Sequence, residues 1–370
     1  MSKRVILITH EYPPFKGGAG IYCEEIAYAA NKIGVDVEVW APRNSIQNKE
    51  FKIRTLPWRG SHGIYSNLRL FISVLKFCNY NKNICIHVAE LGCLRSFIRF
   101  GYFIKHLPTL ILTIHGSELL KFTRNPIEKL LFRKLLSRTK RIHVLSAFNE
   151  GKLISLFPEL EKKILRFGGA PARRLLPKKN YIPPKRAFSK IGILCVGRIH
   201  PRKGQDQILL ALKKLPFEIQ KRVEITFVGS CTKKRYLKVI QELTKGFSGK
   251  VIFAGERNEI ELKTYFERAD IFTLTSTDQK NSVEGFGFVY LEASSYGLPI
   301  IANRSGGVED AVIDQKTGLL AKPGDIAELS ALIEKLVLDK NLRERLAKEG
   351  QKWAKKHTWE KVAKAVYNFS

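Results

Sequence analysis

The stretch EGFGFVYLE, residues 284–292, fences a glycine-rich apolar turn with two carboxylates. Glu284 stands just before the start of a helical pattern and can accept hydrogen bonds from ligand hydroxyls. The backbone N–H groups of Gly285, Phe286, Gly287 and Phe288 form the turn and the first helical residues, where amides lack intrahelical partners and favour an anion. Glu292 follows eight residues on, ~12 Å along a continuous helix. Two carboxylates so far apart do not read as an acid/base pair sharing one bond. They read as hydroxyl acceptors for two sugar rings with a diphosphate between them. The plainer alternative, Glu284 serving a helix dipole and Glu292 lying at the surface, needs none of the intervening glycines.

Three further turns carry reactive or anion-binding residue types. After VILITH, Gly17, Gly18 and Gly20 open the helical stretch IYCEEIAYAANKIG and would let amides approach an anion; a bare glycine turn is the competing reading. After TLILTIHG stands His115, able to donate to a substrate hydroxyl or steady a developing charge, although a lone histidine is equally at home in a structural role. After IGILCVG comes GRIHPRKG, with Arg198 and Lys203 five residues apart and Gly204 opening the next helix. That arrangement suits a diphosphate, and it is not a Walker loop because GxxxxGK[ST] is absent.

Short β-branched runs alternate with amphipathic stretches along the whole chain, the pattern of βαβ units around parallel sheets. VILITH, VDVEVW, ICIHVA, TLILTIHG, RIHVLSA and KILRFGG are the strands expected in the first half; IGILCVG, VEITFVG, VIFAG, DIFTLTS and PIIAN are those expected in the second. The proline-rich basic stretch PARRLLPKKNYIPPKRAFSK separates them as a linker. The expected organisation is a first domain over 1–180, a second over 181–352, and a closing helix over 353–370 that returns to the first domain, with Thr358 as its cap. In doubly wound sheets ligands bind beyond the carboxyl ends of strands, where all four turns fall.

The 370-residue chain is 44% hydrophobic, enough for two cores. No apolar run reaches the ~18–20 residues needed to cross a bilayer, and MSKRVILITH is too short for a signal peptide. Six cysteines without CxxC pairing favour neither a zinc site nor a disulfide framework, which fits a reducing cytoplasm. The outlier is a net charge of +30, which favours an anionic partner: nucleic acid, a membrane surface or a phosphorylated substrate. Between Arg99 and Arg141 stand ten basic residues and two acidic ones, interleaved with Phe100, Phe103, Phe122 and Phe132.

Taken together, the GGAG loop, LTIHGSE, IHVLSAFNEGKL, VGRIHPRKG, EGFGFVYLE followed by ASSYGLPIIANRSGG, and TGLLAKPGD closely resemble glycosyltransferase family 4, a retaining family with the GT-B fold. The resemblance covers nearly the whole chain. It implies an α/β architecture of two Rossmann-like doubly wound domains facing across a cleft, and a nucleotide-diphosphate sugar as donor. By position it assigns Glu284 and the amides of Gly285, Phe286, Gly287 and Phe288 to the donor sugar and diphosphate, and Glu292 to the ribose. Arg198 and Lys203 would hold the diphosphate, Gly17 and Gly18 the phosphate from the N-terminal side, and His115 the donor sugar near the reacting centre. It also implies retention without a covalent enzyme intermediate, and no metal or other cofactor, since cations and helix amides stabilise the leaving group.

Thr275-Ser276 and Phe167–Pro171 depart from the family pattern and leave the donor's identity open. The basic first domain, and LLFRKLLSRTKR in particular, suggests a peripheral enzyme at the inner face of an anionic membrane, acting on a lipid-linked glycan or lipopolysaccharide-type acceptor. Two other functions compete. A sugar-nucleotide epimerase would share the architecture but is expected to lack the paired-glutamate motif. A nucleic-acid-binding protein would use the charge, yet no helix-turn-helix, zinc-finger or RRM signature is present.

Overall fold

The structure, a computed structural model, describes residues 4–14, 17–56, 63–80, 83–101, 108–178, 181, 190–280 and 282–368. Phe103 and Lys105 of the basic stretch and positions 179, 180 and 182–189 of the linker lie outside the described residues. The chain forms two compact units, one of residues 1–169 with 358–370 and one of residues 170–357. The division falls at Gly169/Ala170, whereas the sequence reading set it at 180/181.

In the first unit seven strands form one parallel sheet: β1 (Arg4–Ile8), β2 (Val37–Pro42), β3 (Lys52–Leu56), β4 (Ile84–Val88), β5 (Thr109–Ile114), β6 (Arg141–Val144) and β7 (Ile164–Arg166). Their order is β3-β2-β1-β4-β5-β6-β7. β1 sits at the switch point, pairing Val5 with Val37 on one side and with Cys85 on the other. Helices cover both faces of such a sheet, so its inner strands read as continuous apolar runs. The edge strand β3 instead mixes Lys52, Arg54 and Thr55, all exposed, with buried Ile53 and Leu56.

The second unit repeats the plan with β8 (Ile191–Val196), β9 (Val223–Val228), β10 (Lys250–Gly255), β11 (Ile271–Leu274), β12 (Ile300–Asn303) and β13 (Gly318–Ala321), ordered β10-β9-β8-β11-β12-β13 and parallel throughout. β3 and β13 had no counterpart among the strands expected from the sequence; both are edge strands, one charged and one only four residues long.

The tail helix α15 (Trp359–Val366) is capped by Thr358, whose side chain accepts from the Lys361 N–H. It packs along α1 (Gly18–Lys32) of the first unit, with the Trp359 and Tyr22 rings 5.7 Å apart. A network of buried hydrogen bonds runs from this tail through the sheet. His143 Nε2 lies 2.9 Å from the Phe167 carbonyl oxygen, which can only accept, so Nε2 carries the proton. Nδ1 then accepts, with the Tyr22 hydroxyl at 2.9 Å and the Thr113 hydroxyl at 3.2 Å both in reach. The Tyr22 and Thr113 hydroxyls lie 2.9 Å apart, Thr113 Oγ1 lies 2.7 Å from His87 Nε2, and His87 Nδ1 lies 2.8 Å from the Tyr367 hydroxyl. Burial and the neighbouring histidines hold the His87 imidazole well below its ordinary pKa. Burial likewise lowers His143 to about 4, against the opposing pull of the Phe167 carbonyl. Both rings are therefore neutral.

Candidate functional site

The second unit gathers its candidate residues beyond the carboxyl ends of β8, β11 and β12, as a doubly wound sheet should. After β8 the chain passes Arg198, makes a 3-10 turn over Pro201–Lys203 and turns through Gly204 into α7 (Gln205–Lys214). Gly204 is left-handed (φ 69°), and a Cβ there would lie 2.1 Å from the Thr275 carbonyl oxygen. That contact lets the Thr275 hydroxyl donate to the Gly204 carbonyl at 2.7 Å and the Thr277 N–H to the Arg202 carbonyl at 2.8 Å. The basic loop and the loop after β11 are thereby fixed to each other.

Glu284 is the junction of these loops. Its Oε2 accepts from Lys203 Nζ at 2.5 Å, Ser276 Oγ at 2.9 Å and Arg202 Nη1 at 3.0 Å. The carboxylate is 13% exposed, and both cations are about as sheltered. Burial works against its charge, but Lys203 and Arg202 prevail and hold the acid down at about 2. The Lys203 amine is itself below its ordinary value, because burial and the adjacent guanidiniums outweigh the single carboxylate. The cluster thus carries two cations on one anion, an excess of positive charge suited to a further anionic group. Arg198 adds to it: its side chain is exposed, while its carbonyl accepts from Gln205 Nε2 at 2.9 Å.

The downstream glycine pair explains how Glu284 is aimed. The Gly307 N–H donates to the Glu284 carbonyl at 2.7 Å. Gly306, left-handed at φ 54°, brings its backbone so close that a Cβ would meet that carbonyl at 2.3 Å. Helix α11 spans Phe288–Ser295 with Gly287 as its N-cap. Gly285, Phe286 and Gly287 are therefore loop, and the ~12 Å expected from an unbroken helix between the glutamates does not apply. The Phe286 ring is 2% exposed and packs near Phe288 and His357, which leaves its backbone as the part able to meet a ligand. Glu292 is 4% exposed, so a surface role is excluded; its Oε1 accepts from the Ala172 N–H at 3.3 Å.

Gly17, Gly18 and His115 belong to the first unit. Gly17 is the extended N-cap of α1, and no side chain caps that helix. The Glu11 carboxylate lies against it, 2.3 Å from where a Gly17 Cβ would be. His115 follows β5, with its Nε2 2.9 Å from the Ala89 carbonyl and its ring edge-on to Tyr22 at 5.1 Å. Nε2 therefore donates to Ala89, and Nδ1 is the ring nitrogen left for a ligand.

Arg202, Ser276, Gly306 and Gly307 escaped the sequence reading as site residues. Arg202 stands inside the quoted GRIHPRKG motif, but in so basic a chain its neighbours masked it. The role of the glycine pair depends on a contact across 22 residues that no local pattern reveals. The basic stretch of the first unit is also less of a surface than its composition suggested. Arg138 donates to the Gly101 carbonyl and Arg141 to the Ala365 and Val366 carbonyls at the end of α15. Leu135 and Leu136, which the sequence reading placed on a membrane-facing helix, are buried in the core of the first unit. Among the described residues no helix is long and apolar enough to cross a membrane.

The family described as Glycosyl transferases group 1 matches residues 178–353. A GDP-mannose-dependent alpha-(1-6)-phosphatidylinositol monomannoside mannosyltransferase of Mycolicibacterium smegmatis is 24% identical over 371 residues, covering 95% of this chain and 93% of that protein. Among solved structures, sucrose-phosphate synthase from Thermosynechococcus elongatus superposes with a TM-score of 0.79 at 20% identity, covering 98% of this chain and 96% of the other. Anabaena Alr3699/HepE, solved with UDP and glucose, does so at 0.75 and 17%, covering 98% and 97%. These likenesses carry the fold: the chain has the GT-B architecture of two Rossmann-like domains, and its second unit matches the group 1 glycosyl transferases along most of its length.

Proposed function

We propose that the enzyme is a retaining, metal-independent transferase that moves a hexose from a nucleotide-diphosphate sugar to a lipid-linked glycan at a membrane surface. The observation that carries this reading is the Glu284 cluster. Oε2 is engaged by Lys203, Arg202 and Ser276, which leaves Oε1 for a hydroxyl of the donor sugar. Arg198, Lys203 and the amides of residues 285–288 stabilise the diphosphate as the bond from the anomeric carbon to the phosphate oxygen breaks. The acceptor hydroxyl attacks from the same face, and its proton passes to the departing phosphate oxygen. By the resemblance, Gly17 and Gly18 serve the phosphate, His115 the sugar and Glu292 the ribose. Two cations and helix amides supply the positive charge that a metal would otherwise bring.

The relative from Mycolicibacterium smegmatis makes GDP-mannose the first donor to test and a glycolipid the first acceptor class. For the membrane, the best-supported face is α2 (Ile64–Tyr80), where Ile64, Tyr65, Leu68 and Ile72 are exposed beside Arg69 and Lys76. Helix α5 (Pro126–Arg138) adds exposed Ile127 and Leu130 beside Lys129 and Arg133. Apolar side chains among cations suit an anionic interface. Calorimetry with GDP-mannose, UDP-glucose and the free nucleotides in metal-chelated buffer tests the donor. One nucleotide sugar should bind at about −8 kcal/mol, near micromolar, and Glu284→Ala should weaken it more than the free nucleotide. An absolute need for metal, or equal losses for both ligands, would defeat the reading. Flotation with anionic and neutral vesicles tests the surface: negligible binding to both removes the membrane from the proposal.

A further inference from the structure

A second group of reactive side chains lies in the first unit at its topological switch point, where the turns after the neighbouring strands β1 and β4 meet. His10 follows β1, Glu90 follows β4, and Cys93 stands in the first turn of α3 (Leu91–Phe100). They are 5%, 4% and 0% exposed. One ligand atom from each, an imidazole nitrogen, a carboxylate oxygen and a thiol sulfur, lies within 4.8 Å of the other two. From these side chains we infer a binding site for a zinc-class divalent ion, independent of the transfer chemistry.

The geometry suits such an ion. Tetrahedral zinc with bonds of about 2.0 to 2.3 Å has ligand-to-ligand edges of roughly 3.3 to 3.8 Å, and His10 Nδ1 lies 3.7 Å from Glu90 Oε2. Glu90 is held in place as the N-cap of α3, with Oε1 2.6 Å from the Gly92 N–H and Oε2 3.1 Å from the Cys93 N–H. Each oxygen keeps a lone pair for a metal. Cys93 Sγ, within 4.8 Å of both other ligand atoms, completes the triad. On coordination the S–H bond breaks, the proton leaves to solvent, and sulfur binds the ion. A carboxylate and a thiolate then neutralise a divalent charge, so the buried site carries no net charge. Thiolate and imidazole favour zinc or cobalt over magnesium or calcium. The bound ion would pin the turn after β1 to α3, one residue before Glu11, whose carboxylate lies against the N-cap of α1.

Cobalt(II) added to the chelated full-length protein tests this. We expect one equivalent to bind with the near-ultraviolet charge-transfer absorption of a cobalt–thiolate bond. The band should vanish in Cys93→Ser and persist in Cys23→Ala, which spares the proposed ligands. Because Cys93→Ser acts on a buried position, X-ray absorption on the zinc-loaded wild type gives a second readout: one sulfur at about 2.3 Å beside nitrogen and oxygen at about 2.0 to 2.2 Å. No cobalt–thiolate band, a band that survives Cys93→Ser, or a zinc shell without sulfur overturns the inference.

Discussion

Gly204→Ala and Gly246→Ala together isolate what the contact between the two loops around Glu284 is worth. Both glycines are left-handed, at φ 69° and 75°, and both lie in the second unit. An alanine in that region costs about 1 kcal/mol or a little more at either position, and the stiffer unfolded chain offsets both equally. Their surroundings differ. At Gly246 nothing lies within 4 Å of an added Cβ, whereas at Gly204 the Thr275 carbonyl oxygen is 2.1 Å away and Thr275 Oγ1 2.5 Å away. Carbon and oxygen approach only to about 3.3 Å, so the two backbones must part by roughly 1 Å. Parting breaks the hydrogen bond from Thr275 to the Gly204 carbonyl, worth about 1 kcal/mol. It also bends backbone held on the other side by Asn303, whose Nδ2 donates to the Thr275 carbonyl. A total near 3 kcal/mol follows for Gly204→Ala, against about 1 kcal/mol for Gly246→Ala. In a unit of this size each kcal/mol lowers Tm by about 2–4 °C. Calorimetric melting of both variants, with nucleotide-diphosphate binding measured alongside, should give a loss at least twice as large for Gly204→Ala, with weakened binding in that variant alone. Equal shifts, or unaltered binding by Gly204→Ala, would refute the view that this contact builds the donor loop.

Three further outcomes follow from the same physics. Glu284 is held near 2 against an ordinary 4.5, so its charge stabilises the fold above the ordinary value, and that stability fades as pH falls through about 2. Glu284→Gln should therefore cost on the order of 3 kcal/mol at pH 7, with a deficit that narrows in denaturant melts near pH 3; a constant deficit would exclude the ion pair as its cause. Arg198→Ala, at an exposed side chain, should leave Tm unchanged within about 0.5 kcal/mol of stability while lowering affinity for the nucleotide sugar about tenfold. Thr113→Val interrupts the buried chain between His87 and Tyr22 and should cost about 2–4 kcal/mol of first-unit stability, with Thr113→Ser recovering most of it in the same thermal melts.

The fold was legible where burial imposes a pattern. Inner strands such as β1, β5 and β8 are apolar on both faces and stand out from any surroundings. The missed edge strands show the limit: β3 is exposed at Lys52, Arg54 and Thr55, and β13 gains its identity from pairing with β12. The site was legible where chemistry forces a residue type at a fixed spacing, as with Glu284 and Lys203. It was illegible where tertiary contact assigns the role. Nothing local distinguishes Arg202, which reaches Glu284, from the many cations that do not, and nothing local says that Gly306 and Gly307 hold the Glu284 backbone. The leucines of α5 misled for a related reason: a row of leucines between cations looks the same whether it faces a core or a bilayer, and Leu135 and Leu136 face the core.

The placement of the tail has a consequence for how the protein is made. Residues 170–357 are an insertion within the first unit, which is completed only by residues 358–370. On the ribosome the first unit emerges early but is incomplete: until Trp359 and Tyr367 appear, Tyr22 lacks the indole against it and His87 lacks its Tyr367 partner. Domains otherwise tend to fold in the order of synthesis. Here the second unit can reach its native state while the first still waits for residues 358–370 to return to it.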